Sequence, residues 1–174
     1  MTAFTVTSGD EIDTRAFWRA LGQRATGMTV VTTQSDDGPA GFLGLSAAHV
    51  TANPPTMLVS VDRSTSALAG ILSRRHFAVN FLPSTAARAA DAFGGKSGLS
   101  GAARFTDGEW CVLTTGAPVF RDALGAFDCI VDEVLQRGEV SIVIGKVVAV
   151  ASRGDGEPLM FFRGKSHAGL SGIE

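Results

Sequence analysis

A chain of 174 residues has the length of one domain with a sizeable buried core. Its formal net charge of −2 argues against nucleic acid or an anionic membrane as the main partner, and no run approaches the roughly 18 apolar residues of a membrane span. Apolar residues make up 45% of the chain and charged residues only 18%, which favours a subunit interface over a fully solvated monomer.

The first half of the chain alternates short strands with short helices. Residues 1–12 are polar and aperiodic, which predicts a mobile arm before a single domain over residues 13–174. Asp13, Ser64 and Ser84 are the predicted helix caps. The predicted elements, in chain order, are a helix over 14–25, strands over 28–33, 41–47 and 56–61, a helix over 64–72, a strand over 77–82 and a helix over 84–93.

The second half is mostly strand. A flexible loop with four glycines spans 94–101, and turns are predicted at 138–139 and 153–156. Phe127, Cys129 and Val131 alternate with Asp128 and Asp132, which is typical of a half-buried antiparallel strand. The predicted strands cover 110–113, 126–135, 140–150 and 159–162. Because long helices do not alternate with the strands, the sequence favours a mainly β fold, a Greek-key-like β-barrel with peripheral helices, over a doubly wound parallel sheet.

The two cysteines, Cys111 and Cys129, lie in apolar, strand-like segments. Two buried free thiols are the favoured interpretation over a disulfide or a redox pair. Free thiols indicate a reducing compartment, so the expected location is the cytoplasm. The N-terminus lacks the basic and then apolar pattern of a secretory signal, which agrees with that expectation.

The usual catalytic constellations are missing from the sequence. His49, His76 and His167 have no metal-ligand spacing, so no metal site is predicted. Two Gly-Lys-Ser triplets fail as phosphate loops because Ala90 and Leu159 stand where such a loop needs glycine. There is no Gly-x-Ser-x-Gly elbow and no tyrosine. We therefore predict no catalytic side chain, which suits hydride transfer between two bound cofactors.

A phosphate-binding site is predicted where the strand over 56–61 meets the next helix. The strand follows the rigid turn Asn53-Pro54-Pro55, and three hydroxyl residues, Ser64-Thr65-Ser66, begin the helix. Unpaired N–H groups and the positive end of the helix dipole favour an anion at such a position.

Taken with residues 24–33 upstream, these segments resemble the flavin reductase-like proteins, whose FMN-binding split barrels often serve as the reductase of two-component monooxygenases. The resemblance covers about residues 17–170. Within 41–47, Ser46 matches the family, whereas the family's threonine and phenylalanine are replaced. Other matching segments are the double proline, 77–82, Arg104-Phe105, Gly116-Ala117-Pro118, Ile144-Gly145-Lys146-Val147 and 158–164.

The resemblance implies a set of cofactor-binding residues. The flavin ring is expected along the backbone of Phe42, Leu43, Gly44, Leu45, Ser46 and Ala47 and along the strand end Asn80, Phe81 and Leu82. The flavin phosphate is expected at Asp62, Arg63, Ser64, Thr65 and Ser66. Phe93 and Arg104 match two further family positions near the flavin.

The chain departs from the family beside the nicotinamide. Many members carry Gly-Asp-His before the Ile-Gly-x-Val strand, and here Glu139 keeps the carboxylate while Val140 replaces the imidazole. His167, next to Ser166 where an aromatic residue is common, is an alternative source of an imidazole. Glu139, Val140 and His167 are therefore the candidate NAD(P)H-side residues.

The resemblance implies an NAD(P)H-dependent flavin reductase that reduces FMN, or FAD, and supplies reduced flavin to a partner monooxygenase. It also implies a homodimer that closes the flavin cleft. Two alternatives stay open at this point: a flavin-binding electron carrier or sensor, and a flavoprotein reductase of a ferric or corrinoid acceptor. The choice between NADH and NADPH is open as well.

Overall fold

The structure, a computed structural model, describes residue 9 and residues 12–170. The mobile arm predicted over residues 1–12 therefore lies outside the described residues, apart from positions 9 and 12. No helix in the described part of the chain is long and apolar enough to cross a membrane.

Three short helices lie at the periphery of the fold. The Asp13 side chain caps α1, as predicted, by accepting a hydrogen bond of 3.2 Å from the Arg15 N–H. The other two predicted caps are wrong. The Ser64 hydroxyl bonds to Asp62 instead, and the Ser84 N–H donates to the Glu157 carbonyl, so both helices begin later. The helices are α1 (Thr14–Leu21), α2 (Ala67–Arg74) and α3 (Ala87–Phe93), with a 3-10 helix at Gly101–Arg104.

Within the described residues, twelve strands supply most of the regular secondary structure, and a mainly β fold with peripheral helices is confirmed. Four short strands, β1, β4, β8 and β12, were not predicted. Two of them, β4 and β12, are exposed along their whole length and lack the alternation that indicates a strand. The strands are β1 (Thr26–Gly27), β2 (Thr29–Ser35), β3 (Gly38–Gly44), β4 (Ala48–Ala52), β5 (Pro55–Asp62), β6 (His76–Phe81), β7 (Trp110–Val112), β8 (Pro118–Phe120), β9 (Gly125–Arg137), β10 (Val140–Ser152), β11 (Leu159–Phe162) and β12 (Lys165–Ala168).

The main sheet has seven antiparallel strands in the order β3-β2-β6-β9-β10-β5-β4. Its two edge strands, β3 and β4, follow each other in the chain, yet no backbone ladder joins them within the described residues. The barrel is therefore split between β3 and β4, and residues 45–47 cross that split. A three-stranded sheet, β1-β11-β12, and the hairpin β7-β8 flank the main sheet.

Two hydrophobic clusters hold the site in place. The first fills the inside of the main sheet around Val31, Val61 and Phe77, with Ile71 of α2 packed into it. Gly145 is required there because a Cβ at this position would lie 2.6 Å from the Phe77 ring. The second cluster lies between the sheet and α3 and includes Phe93.

The predicted alternation along β9 is wrong at Asp128, whose side chain is fully buried. Its carboxylate accepts the N–H groups of Thr114 and Thr115, both at 2.8 Å, and the Thr115 hydroxyl. This face of β9 is buried because the segment before β8 packs against it, so Asp128 anchors that segment to the barrel.

The two cysteines are free thiols. Cys129 is buried, and desolvation, followed by the charge of Asp128, raises the pKa of its thiol to about 12. Cys111 is half-buried. Cys129 is therefore a protonated, unreactive thiol at neutral pH.

Candidate functional site

The loop after β5 is organised by Asp62. Its carboxylate accepts both the Ser64 N–H, at 2.9 Å, and the Ser64 hydroxyl, at 2.6 Å, while its carbonyl accepts the Thr65 N–H at 2.9 Å. The bonds from the Ser64 hydroxyl and then its N–H hold the pKa of Asp62 below the usual value of the carboxyl group. The donors of Ser64 are therefore occupied, and Asp62 stays charged.

The hydroxyl donors left for a phosphate are those of Thr65 and Ser66. Neither hydroxyl has a hydrogen-bond partner among the described residues, and Ser66 immediately precedes α2 without capping it through its side chain. Two hydroxyl donors at the positive end of a helix match the donor set that a phosphate monoester needs. This part of the site fits the phosphate of FMN.

Arg63 and Glu139 join the phosphate loop to the β9–β10 turn. Arg63 Nη1 lies 2.7 Å from a Glu139 carboxylate oxygen, and the Arg63 N–H donates to the Glu139 carbonyl at 2.8 Å. Val140 pairs with Asp62 in the β10–β5 ladder. The structure thus brings two of the candidate NAD(P)H-side residues, Glu139 and Val140, directly beside the predicted phosphate loop.

The segment predicted to line the flavin ring crosses the split in the barrel. The Ser46 hydroxyl donates to the Ser60 carbonyl at 3.3 Å, which places the segment beside the end of β5. The Thr29 hydroxyl donates to the Gly44 carbonyl. Apolar side chains anchor the segment on both sides: Phe42 and Ala47 pack on the cluster inside the sheet, and Leu43 and Leu45 pack on the cluster beneath α3. Its position is therefore fixed by side-chain packing on both clusters.

Three of the residues predicted to bind the flavin have side chains that are buried in the core. Asn80 is fully buried; its amide donates to the Val30 carbonyl at 3.0 Å, and its carbonyl accepts the Phe120 N–H at 2.8 Å. Leu82 and Phe93 are 1% and 3% exposed. Because these side chains are buried, a ligand cannot contact them directly. They support the neighbouring residues of the predicted site. Phe81 is half-buried, and its ring packs edge-on against Phe127.

Arg104 ties the glycine-rich loop to β3. Its Nη1 donates to the Gly41 carbonyl at 3.1 Å and its Nε to the Leu99 carbonyl at 3.0 Å. Gly41 is itself packed against Phe93, since a Cβ there would lie 2.9 Å from that ring. Arg104 therefore contacts the backbone immediately before the predicted flavin-ring segment.

His167 lies apart from the other candidates. It is exposed on β12, in the three-stranded sheet, where it pairs with Met160 and its ring centroid lies 6.2 Å from that of Phe162. The strands that carry Glu139, Val140 and Asp62 all belong to the seven-stranded sheet. His167 therefore lies on a different sheet from those residues, and no hydrogen bond joins it to them within the described part of the chain.

A cavity of about 530 Å³ was not predicted from the sequence. It lies between the outer face of α3, the glycine-rich loop and the β7–β8 hairpin, and Trp110 and Phe120 are its aromatic lining. Of the predicted site residues, only Arg104 lines it. The aromatic residues Phe105 and Trp110 are the one feature of the sequence that could have indicated this cavity, and the same feature equally indicates a hydrophobic core.

Comparisons with known proteins agree on one family. The model of the flavin reductase-like domain matches residues 21–169. The NADH-dependent FMN reductase RutF 2 of Rhizobium rhizogenes is 35% identical over 149 residues, which cover 86% of this chain and 85% of that protein.

Solved structures share the fold. Flavin reductase PheA2 in its native state has a TM-score of 0.83 and 31% identity, and the match covers 92% of this chain and 100% of that one. BorF, the flavin reductase component of a bacterial two-component tryptophan halogenase, has a TM-score of 0.83 and 26% identity, with 92% and 100% covered.

Proposed function

Since this chain belongs to the flavin reductase-like domain family, we propose that it is an NADH-dependent reductase of FMN. The observation that carries the proposal is the loop after β5, where the hydroxyls of Thr65 and Ser66 have no partner among the described residues and follow Arg63, a cation that pairs with Glu139. The name of the RutF 2 relative, an FMN reductase that uses NADH, supports the choice of both cofactors.

The residues of this chain would bind the two cofactors and orient them. When bound, the two cofactors supply the hydride donor and acceptor, so the protein needs no acid–base side chain. Thr65, Ser66 and Arg63 would hold the FMN phosphate. The fixed backbone of residues 42–47 would lie along the ring, where its N–H groups can stabilise negative charge on the reduced flavin.

Steady-state NADH oxidation with added FMN tests the function. We expect oxidation that saturates in both NADH and FMN. A protein that binds FMN but is inert toward both NADH and NADPH would contradict the proposal and would instead support the flavin-binding electron carrier. Reduction of a ferric or corrinoid acceptor without release of free flavin would instead support a flavoprotein reductase of that acceptor.

We also propose that the reduced flavin serves a partner monooxygenase and that the protein works in the cytoplasm. The two-component system to which BorF belongs supports a flavin-consuming partner. The two free thiols suit a reducing compartment. Oxygenase activity reconstituted with this protein, NADH and FMN would test the first point.

A homodimer is the expected assembly. Apolar side chains stand exposed on both faces of the neighbouring strands β9 and β10: Ile130 of β9 is 48% exposed on the outer face, and Val150 of β10 is 65% exposed on the face that also carries Phe127. An interface that buries roughly 2,000 Å² or more would cover them in an obligate dimer. Light scattering at micromolar concentration should give twice the mass of one chain. A flavin-bound monomer would contradict this, and Val150→Glu should weaken the dimer if this face forms the interface.

Replacing Val140 with histidine should improve the use of NADH. Val140 is half-buried and lies opposite Asp62 in the β10–β5 ladder. One added hydrogen bond or ring contact to the dinucleotide is worth on the order of 1 kcal/mol, or several-fold in affinity. We expect Val140→His to lower the KM for NADH several-fold, measured by NADH oxidation at saturating FMN. Unchanged KM and kcat in a folded, FMN-binding variant would show that this position does not face the nicotinamide.

A further inference from the structure

The predicted flavin-ring segment contains a carbonyl that one buried side chain holds in place. Gly44, the last residue of β3, pairs with Thr29 in the β2–β3 ladder, and the Thr29 hydroxyl donates to the Gly44 carbonyl. Thr29 is only 4% exposed. A Cβ on Gly44 would lie 2.9 Å from Cγ2 of Val31 and 3.4 Å from the Thr29 hydroxyl oxygen, so the backbone of Gly44 rests directly on β2. The direction of the Gly44 carbonyl is therefore fixed by Thr29.

The same bond sets the direction of the next backbone N–H. The peptide unit that joins Gly44 to Leu45 is planar and trans, so its N–H points opposite to its carbonyl. Because the carbonyl is directed toward the buried Thr29, the Leu45 N–H is directed away from β2 and toward the free edge of β3, where the barrel is split. Since β2 occupies the other side, a ligand can reach this peptide unit only from that edge.

Three consecutive N–H groups are free in this segment. The N–H groups of Leu45, Ser46 and Ala47 donate to no other group among the described residues. The segment is nevertheless held in place, because the Ser46 hydroxyl donates to the Ser60 carbonyl and the neighbouring apolar side chains pack on both hydrophobic clusters. Free donors on a segment of fixed position stabilise an anion without reorganisation of the protein.

Negative charge on a reduced flavin gives such a donor a specific effect. A hydride brings two electrons and one proton, so the neutral ring of an oxidised flavin becomes an anion when it takes up no second proton. A fixed N–H beside that charge binds the reduced ring more tightly than the oxidised ring, and this difference raises the reduction potential of the bound flavin. A buried hydroxyl that only satisfied its own donor would have no such effect.

We propose that Thr29 is a positioning residue for flavin reduction. Its hydroxyl holds the Gly44 carbonyl against β2, which directs the Leu45 N–H toward the flavin ring and through that donor favours the reduced form. The proposal rests on the proposed flavin site at residues 42–47. It concerns an equilibrium property of bound FMN, however, so it can be tested without NADH.

Thr29→Val removes the hydroxyl and keeps the branched shape of the side chain. Anaerobic titration with dithionite at saturating protein, against a reference dye, gives the midpoint potential of bound FMN, and fluorescence quenching gives the Kd of oxidised FMN. We expect the affinity for reduced FMN, relative to oxidised FMN, to fall about tenfold. For a two-electron couple this factor makes the potential about 30 mV more negative. Thr29→Ser retains the hydroxyl and should keep the wild-type potential.

Thr32→Val is the matched control. Thr32 is a fully buried threonine on the same strand, and its hydroxyl donates to the Pro118 carbonyl instead of the ring segment. This variant should lose stability as Thr29→Val does, but it should leave the potential of bound FMN unchanged. Thr29→Cys serves if Thr29→Val does not fold. It differs from Thr29→Ser by one atom and carries a weak donor, so its potential should be more negative than that of Thr29→Ser.

The outcomes separate this role from the proposed function. A wild-type potential in folded Thr29→Val or Thr29→Cys protein, or an equal shift in Thr32→Val, would overturn the role of Thr29. A wild type that binds no FMN would overturn both this role and the proposed function. A wild type that binds FMN but never oxidises NADH would contradict the proposed function alone, and the shifted potential of Thr29→Val would still support the positioning role.

Discussion

Replacing both Thr65 and Ser66 with alanine is expected to weaken FMN binding by at least tenfold. Each hydroxyl is free to donate to the phosphate, and a hydrogen bond to a charged group contributes roughly 1.5–3 kcal/mol. One such contact already corresponds to about tenfold in affinity, and two correspond to considerably more. The change in Kd is measured by quenching of flavin fluorescence.

Riboflavin and two serine variants complete the experiment. Riboflavin lacks the phosphate, so its affinity should be the same in the wild type and in the double variant. Ser73→Ala, at the opposite end of α2, where the hydroxyl bonds to the Gly70 carbonyl, is the matched control. Ser64→Ala should weaken FMN binding less than the double variant, because its hydroxyl already donates to Asp62. Equal loss of FMN and riboflavin affinity would show that residues 65 and 66 do not bind the phosphate.

Asn80→Ala should destabilise the fold by about 2–5 kcal/mol. The substitution leaves the buried Phe120 N–H and the Val30 carbonyl without their present side-chain partner, and each unsatisfied buried group costs roughly 1–3 kcal/mol. It also empties the volume of a fully buried side chain.

Urea unfolding of the flavin-free protein measures this loss, with Gln34→Ala at the half-buried end of β2 as a control that should change the free energy of unfolding little. FMN affinity of the folded Asn80→Ala protein should change far less than its stability. A variant with unchanged stability and lost FMN binding would return Asn80 to the flavin site.

The sequence predicts the framework of the site well, because the local sequence patterns there favour the same strands and turns that tertiary packing requires. The double proline, the β-branched strand before Asp62 and the run of hydroxyl residues after it each favour the strand, turn and helix start that the structure contains. Gly145 carries a comparable signal, since the close approach of Phe77 demands a glycine. The exposed strands β4 and β12 pair with the strands next to them in the chain, β5 and β11, but they have no such signal because neither strand has a buried face that would give an alternating pattern.

Side-chain roles were harder to predict, because they depend on which face of a strand is covered. Asn80 reads as the polar strand end that lies along the flavin and Asp128 as the polar side of a half-buried strand, and both are buried because segments around β8 pack over them. Ser64 reads as a helix cap and a phosphate donor, but Asp62 lies two residues away and takes both of its donors. Local sequence does not resolve such competition between acceptors.

The negative charge of Asp62 is expected to affect the residence time of bound flavin. This carboxylate remains ionised through its bonds from Ser64, two residues from the hydroxyls of the phosphate loop. Because a charged carboxylate repels a phosphate dianion, we expect Asp62 to shorten the residence time of FMN, by an amount that falls as the salt concentration rises. Occupancy would then follow the cellular flavin pool, with oxidised molecules arriving and reduced ones leaving on every turnover. We therefore expect the flavin to exchange with the cellular pool as a substrate does, instead of staying bound as a prosthetic group.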